Sequence, residues 1–166
     1  MKYRYSFLIF FFAAFVQGTV LNLFAIFGTT PDLILCLVAA FALFYEKQFH
    51  AALFGTLAGL FLDICYMQYT GISALGYLLT ALGIMAAGTW VNRENRMTIL
   101  LLTVLATVFY QCYLFGMYHF FGSSIVFSAV LRKSALLIVY NAAAALLLYR
   151  IFIGRVEHFR SDRFYK

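Results

Sequence analysis

The chain has 166 residues, of which 65% are hydrophobic and only 11% are charged. A soluble globular protein of this length needs a far more charged surface, so the composition excludes that class. The net charge of +6 does not indicate nucleic-acid binding, because the basic residues stand singly or in pairs at the ends of apolar blocks. The chain is therefore predicted to be an all-α integral membrane protein.

Six apolar blocks follow one another, and together they predict a single transmembrane domain over residues 1–166. The first block is too long for the apolar region of a signal peptide and no small-residue cleavage site follows it, so it is predicted to remain as an anchor helix. The predicted spans are about 6–27, 31–46, 49–67, 72–91, 97–118 and 134–153. The remaining residues, 154–166, mix aromatic and basic side chains, which predicts a short cytoplasmic tail on anionic lipid or, alternatively, on a cytoplasmic partner.

The second span is short for a membrane helix. Its 16 residues cover about 24 Å at about 1.5 Å per residue, against a hydrocarbon core of about 30 Å. We therefore expect this helix to run steeply or to be shielded by its neighbours. Its start reads Thr29-Thr30-Pro31-Asp32, which predicts a threonine N-cap, a proline at the first helical position and an acid in the first turn.

The basic residues are distributed unequally between the two sides of the membrane. Of the 12, only Arg132 and Lys133 fall on the side opposite the N-terminus. The other ten are Lys2, Arg4, Lys47, Arg93, Arg96, Arg150, Arg155, Arg160, Arg163 and Lys166. Because loops rich in lysine and arginine stay in the cytoplasm, both termini are predicted to be cytoplasmic.

Gly55, Gly59 and Asp63 lie at positions i, i+4 and i+8 and so share one face of the third span. A G-x-x-x-G pair in a membrane helix lets another backbone approach closely. Since a carboxylate at mid-bilayer costs about 2.5–3.5 kcal/mol on insertion scales, Asp63 is expected to face protein rather than lipid.

Two further groups of polar residues are candidates for structural contacts. At the outer side, Asp63 or Asp32 is predicted to form an ion pair with Arg132 or Lys133, and the alternative is that each charge reaches the headgroups separately. In the last span, Tyr140-Asn141 places an amide within the membrane, where asparagine usually forms a hydrogen bond across helices. A polar substrate cavity is the other interpretation of such residues.

An enzymatic function is not expected. Asp32 and Asp63 would supply the two acids of an intramembrane aspartyl protease, but both lie near the outer boundary and outside the sequence settings that such proteases use. The three cysteines, Cys36, Cys65 and Cys112, lack metal-ligand spacing. We predict no catalytic residue, no cofactor and no metal site.

Four motifs follow one another along the chain: T-P-D-L-I-L at residues 30–35, A-L-F-G-T-L-A-G-L-F-L-D at 52–63, G-Y-L at 76–78 and R-K…Y-N-A at 132–142. Together they resemble those of the rod-shape-determining protein MreD family of bacteria. Their order over about 160 residues and six spans carries the resemblance. It picks out Pro31, Asp32, Gly55, Gly59, Asp63, Tyr140 and Asn141. Family members often carry a proline near the start of the last helix, where Arg132-Lys133-Ser134 stands here.

The resemblance implies a non-enzymatic scaffold in the bacterial inner membrane. Such a protein associates with MreC in the elongasome, and it supports lateral peptidoglycan synthesis by MreB filaments, a SEDS-type polymerase and a penicillin-binding protein. The resemblance also implies a bundle similar to the S-components of vitamin transporters. A substrate-binding S-component of an ECF-type transporter is therefore the alternative function, with Asp32, Asp63 and Arg132 as ligand contacts.

Overall fold

The structure is a computed structural model that describes residues 3–23, 29–44, 48–91, 95–122 and 127–161. Within these ranges the chain is helical, with six helices of 12 or more residues and one additional helical turn, α2. The helices are α1 (Tyr3–Gly18), α2 (Val20–Leu23), α3 (Leu33–Phe44), α4 (Phe49–Tyr66), α5 (Ile72–Ala87), α6 (Arg96–Phe120) and α7 (Phe127–Ser161).

Successive long helices alternate in direction. The ring of Phe7 contacts that of Phe54 and the ring of Phe11 contacts that of Phe61, so α1 and α4 run the same way. Phe44 at the end of α3 contacts Tyr149 of α7, and Asp32 just before α3 binds Asn141, so α3 and α7 run the same way. Gln17 near the end of α1 also binds Asp32, so α1 and α3 run in opposite directions. The start of α1 and the end of α7 therefore lie on the same side of the bundle, as expected if both termini are cytoplasmic.

The shortest long helix, α3, occupies the centre of the bundle. Each residue from Ile34 to Leu43 is at most 5% exposed, and α3 contacts α1, α4, α5, α6 and α7. Its sequence, LILCLVAAFALF, is apolar all round, which is the composition of a helix buried on every side. At about 18 Å it is too short to cross a bilayer alone, and its neighbours shield it.

In the part of the chain that the structure describes, three helical segments are long and apolar enough to cross a membrane: Phe49–Tyr66, Arg96–Phe120 and Val130–Ile151. Shorter apolar helices are Arg4–Gly18, Leu33–Phe44 and Ile72–Ala87. Residues from all six long helices contribute to one hydrophobic core. The chain is therefore an all-helical protein with the features of a membrane bundle.

The helix bounds differ from the predicted spans at four places, one of which is the end of α5 at Ala87 rather than at Val91. α1 ends at Gly18, a turn at Thr19 separates it from α2, and residues 24–27 of the predicted first span lie outside the described residues. α3 begins at Leu33 rather than at Pro31. α7 begins at Phe127 and continues to Ser161, so the chain is helical through Arg132-Lys133-Ser134 and through most of the predicted tail. With no proline in this stretch, nothing interrupts the backbone hydrogen bonds.

Candidate functional site: a buried polar cluster and the Asp63 cap

Asp63 of α4 caps the start of the following helix. Its side chain is 1% exposed, and its Oδ2 accepts hydrogen bonds from the backbone N–H groups of Gly71 at 3.0 Å, Ser73 at 2.9 Å and Ala74 at 3.2 Å. The first N–H groups of a helix have no partner within it and carry partial positive charge. The buried carboxylate is therefore stabilised by the amino end of α5, where the sequence predicted a cation.

Gly71 makes this cap possible. It has φ +98°, in the left-handed region that favours glycine, and it directly precedes α5. No side chain at Gly71 can cap α5, so Asp63 supplies the acceptor from the preceding helix. The other carboxylate oxygen, Oδ1, is buried and has no hydrogen-bond partner among the described residues.

Gly55 and Gly59 form a glycine ridge on the face of α4 that lies against other helices. A Cβ placed on Gly55 would lie 2.5 Å from Cγ2 of Val38 in α3. A Cβ placed on Gly59 would lie 2.6 Å from Cδ2 of Tyr77 and 2.9 Å from the backbone of Ala74, both in α5. The two glycines therefore let α4 lie close against α3 and α5.

Asp32 is the N-cap of α3, a role that the sequence analysis assigned to a threonine. Its Oδ1 accepts a hydrogen bond from the backbone N–H of Leu35 at 3.0 Å, and its backbone carbonyl accepts from Cys36. The same carboxylate accepts from Gln17 Nε2 at 3.2 Å and from the hydroxyl of Tyr77 at 3.0 Å from each oxygen. Gln17 also accepts from the N–H of Ile34. The start of α3 is thus joined to α1 and α5.

Asn141 joins the same point to the last two helices. Its Oδ1 accepts a hydrogen bond from the backbone N–H of Asp32 at 2.8 Å, and its Nδ2 donates to the hydroxyl of Thr107 at 3.1 Å. Its side chain is fully buried. We call Gln17, Asp32, Tyr77, Thr107 and Asn141 the polar cluster. Its members come from α1, α3, α5, α6 and α7, with Asp32 as the cap that begins α3.

Tyr77 links the polar cluster to the glycine ridge. Its ring lies against Gly59 on one side and stacks on Tyr110 on the other, with ring centroids 4.8 Å apart and an angle of 10° between the planes. Because Gly59 has no side chain, the ring fits between α4 and α6 with its hydroxyl at Asp32. A larger residue at position 59 would displace the ring that donates to the carboxylate.

The remaining predicted residues do not share these contacts. Arg132 and Lys133 are exposed on α7, and the described residues contain no ion pair between them and Asp32 or Asp63. The predicted ion pairs are replaced by neutral donors, because a helix start and a tyrosine hydroxyl lie closer to the acids. Tyr140 is half-buried beside Asn141, and Pro31 is half-buried just before the cap of α3.

Among the described residues, grooves lie on the outside of the bundle between α5 and α6 and between α1 and α4. The α5–α6 groove is a cavity of about 180 Å³, lined by Leu79, Thr80, Gly83, Ile84, Ala87, Leu102, Leu105, Ala106 and Phe109. A Cβ placed on Gly83 would meet no atom within 4 Å, unlike one on Gly55 or Gly59. The second groove lies between α1 and α4 and is considered below.

The chemistry available in the described residues is that of packing and hydrogen bonding. No group of three or more His, Cys, Asp or Glu side chains among them is placed to hold a metal ion. Asp32 and Asp63 accept hydrogen bonds from different partners among the described residues. These hydrogen bonds join helices to one another.

Three members of the polar cluster had only weak signals in the sequence. Gln17 is a lone amide in an apolar helix, which predicts an interhelical hydrogen bond without naming its partner. Tyr77 belongs to the G-Y-L motif, where the glycine at Gly76 leaves room for the ring of Tyr110. Thr107 also donates to the carbonyl of Thr103 in its own helix. Because that bond lies within one helix, the sequence around Thr107 does not predict its contact with Asn141.

Comparison with known proteins identifies the family. The family model described as rod shape-determining protein MreD matches residues 1–157. No curated protein and no solved structure matches the chain.

Proposed function

Because the chain belongs to the MreD family, a family of membrane-bound, non-catalytic proteins that determine rod shape, we propose that it is a scaffold of the bacterial elongasome. It spans the inner membrane several times with both termini in the cytoplasm. It binds an MreC-type membrane protein and, through it, supports MreB-type filaments, a SEDS polymerase and a penicillin-binding protein in lateral wall synthesis.

The observation that best supports a scaffold is that the side chains of the polar cluster form their hydrogen bonds with other parts of the fold. Both oxygens of Asp32 accept hydrogen bonds from within the fold, and Asn141 uses its amide on Asp32 and Thr107. A buried polar network whose members satisfy one another makes the helix arrangement more specific. The intramembrane polar residues therefore serve to hold α3 in one position and present a defined outer surface to partners.

The S-component alternative gains no support from these contacts. A vitamin-binding site would need Asp32, Asp63 and Arg132 to face a common ligand. Instead, Asp32 and Asp63 are at most 6% exposed and bind separate helix starts, while Arg132 lies exposed on α7.

Gene replacement in the native host tests the proposal. We expect cells without the gene to lose rod shape, and cells with a tagged copy to keep rod shape and to co-purify an MreC-type protein. Tyr140→Phe, which leaves the hydrogen bonds of Asn141 intact, is the matched control for Asn141→Leu. Asn141→Leu is expected to lower the abundance of the complex, whereas Tyr140→Phe is expected to behave as the parent. Normal rod growth and wall synthesis in the deletion strain would overturn the proposal.

A further inference from the structure

An apolar groove follows the seam between α1 and α4 at the end of the bundle where both helices begin. Its first part is a cavity of about 400 Å³ lined by Arg4, Phe7, Leu8 and Phe54. It continues into a narrower pocket of about 30 Å³ lined by Phe7, Phe10, Phe11, Phe54, Leu57, Ala58 and Phe61. We propose that this α1–α4 groove binds an anionic phospholipid of the cytoplasmic leaflet, with an acyl chain along the phenylalanine rings and the phosphate at Arg4.

Charge identifies the headgroup. Arg4 is exposed at the mouth of the groove, and no acid among the described residues forms an ion pair with it. An arginine guanidinium binds phosphate oxygens through two parallel hydrogen bonds. On the proposed orientation, with both termini in the cytoplasm, this end of α1 lies at the cytoplasmic leaflet, where anionic lipids concentrate and attract basic residues near the surface.

Shape identifies a lipid chain rather than a partner helix as the occupant. The exposed wall of the groove consists of large side chains, with Phe7 46%, Leu8 58% and Phe11 46% exposed. A helix with its side chains is about 10–12 Å wide, and close helix packing in membranes uses small residues. The only small residue among the described residues of the wall, Ala58, is buried at 5% exposure. A flexible acyl chain fits between aromatic rings without needing a close backbone approach.

The charge is tested by lipid titration of the purified full chain in mild detergent, followed by native mass spectrometry. The probes are phosphatidylglycerol and phosphatidylcholine with the same acyl chains. We expect the first phosphatidylglycerol to bind more tightly than phosphatidylcholine, and Arg4→Gln to weaken it about 5-fold. The matched control is Arg150→Gln, an exposed cation on α7 at the same end of the bundle, with a change below about 2-fold expected. Equal losses in the two variants, or no preference for the anionic lipid, would overturn the proposal.

The groove itself is tested by filling it. Leu8→Trp is expected to weaken binding of both lipids, whereas Leu147→Trp on the exposed face of α7 is expected to leave both unchanged. A photoreactive amino acid at position 8 in growing cells then identifies the occupant. A phospholipid adduct supports the proposal. A protein adduct, or equal binding by Leu8→Trp and Leu147→Trp, overturns it.

Discussion

Two buried acids of this bundle accept hydrogen bonds from different kinds of partner. Asp63 binds N–H groups that lie 8, 10 and 11 residues later in the chain, so it joins α4 to the next helix across one turn. Asp32 binds partners 3, 15 and 45 residues away, and its own N–H donates to Asn141, 109 residues away. The Asp63 cap stabilises a local hairpin of helices, whereas the polar cluster determines how the whole bundle assembles.

Neither Asp32 nor Asp63 needs a cation to stabilise its buried carboxylate. A buried charge is tolerated when hydrogen bonds replace the water that it loses. A helix start supplies several aligned N–H donors to Asp63, and the start of α3 does the same in part for Asp32. Arg132 and Lys133 are therefore free to remain exposed on α7.

The largest loss of stability is expected from a substitution of Gly59, which contacts both the polar cluster and the Asp63 cap. Gly59 faces Tyr77, which belongs to the polar cluster, and the backbone of Ala74, which belongs to the Asp63 cap. The side chain in Gly59→Leu would push α4 away from Tyr77 and Ala74 of α5. We expect a loss of about 3 kcal/mol or more in the free energy of unfolding, measured by denaturant titration in detergent micelles. The control is Gly83→Leu at the open α5–α6 groove, with a change below about 0.5 kcal/mol expected. Equal losses of stability in Gly59→Leu and Gly83→Leu would show that close helix packing at the glycine ridge is not what stabilises the bundle.

A smaller loss of stability, which affects several helices together, is expected when the polar cluster is disrupted. Asp32→Ala removes the acceptor of Gln17, Leu35 and Tyr77. We expect a loss of about 3 kcal/mol, because each buried donor left alone costs about 1–3 kcal/mol and part of this is offset by removing a buried charge. Hydrogen exchange should increase in α1, α3 and α5 together. Asp32→Asn keeps one acceptor oxygen and should lose less; exchange confined to α3 would contradict the role of the cluster.

The smallest effect is expected at the local cap. Asp63→Ala leaves the N–H groups of Ser73 and Ala74 buried without an acceptor, which should cost about 2 kcal/mol and speed hydrogen exchange in the first turn of α5 only. Asp63→Asn keeps one oxygen in the place of Oδ2 and puts an amide where Oδ1 has no partner among the described residues. We expect Asp63→Asn to cost less than half as much as Asp63→Ala. Equal costs would indicate that the charge, and not the acceptor, stabilises the turn.

The sequence predicted the parts of this arrangement that depend on spacing along one helix. The i, i+4, i+8 pattern of Gly55, Gly59 and Asp63 placed all three on a buried face, and the amide of Asn141 was expected to bond across helices. The short second span was expected to run steeply or to be shielded by its neighbours, and α3 is buried on every side. These features follow from helical periodicity and from the cost of exposing polar groups to lipid.

Other features depended on which helices meet. The sequence places two acids, Asp32 and Asp63, and two cations, Arg132 and Lys133, near the outer side. Because their charges are opposite, ion pairs between them were expected. Only the packed bundle brings Ser73 and Tyr77 closer to the acids than Arg132 or Lys133. The cap of α3 was displaced from Thr30 to Asp32 for a similar reason, because Gln17, Tyr77 and Asn141 converge on Asp32.

By itself the sequence determined that this protein is a membrane bundle with two glycines on one face of its third span and with buried polar side chains, since composition and periodicity act within single segments. Only the tertiary structure decided the partners of those side chains. A hydrogen bond depends on the distance between atoms, and partners up to 109 residues apart come within reach only when the helices have packed.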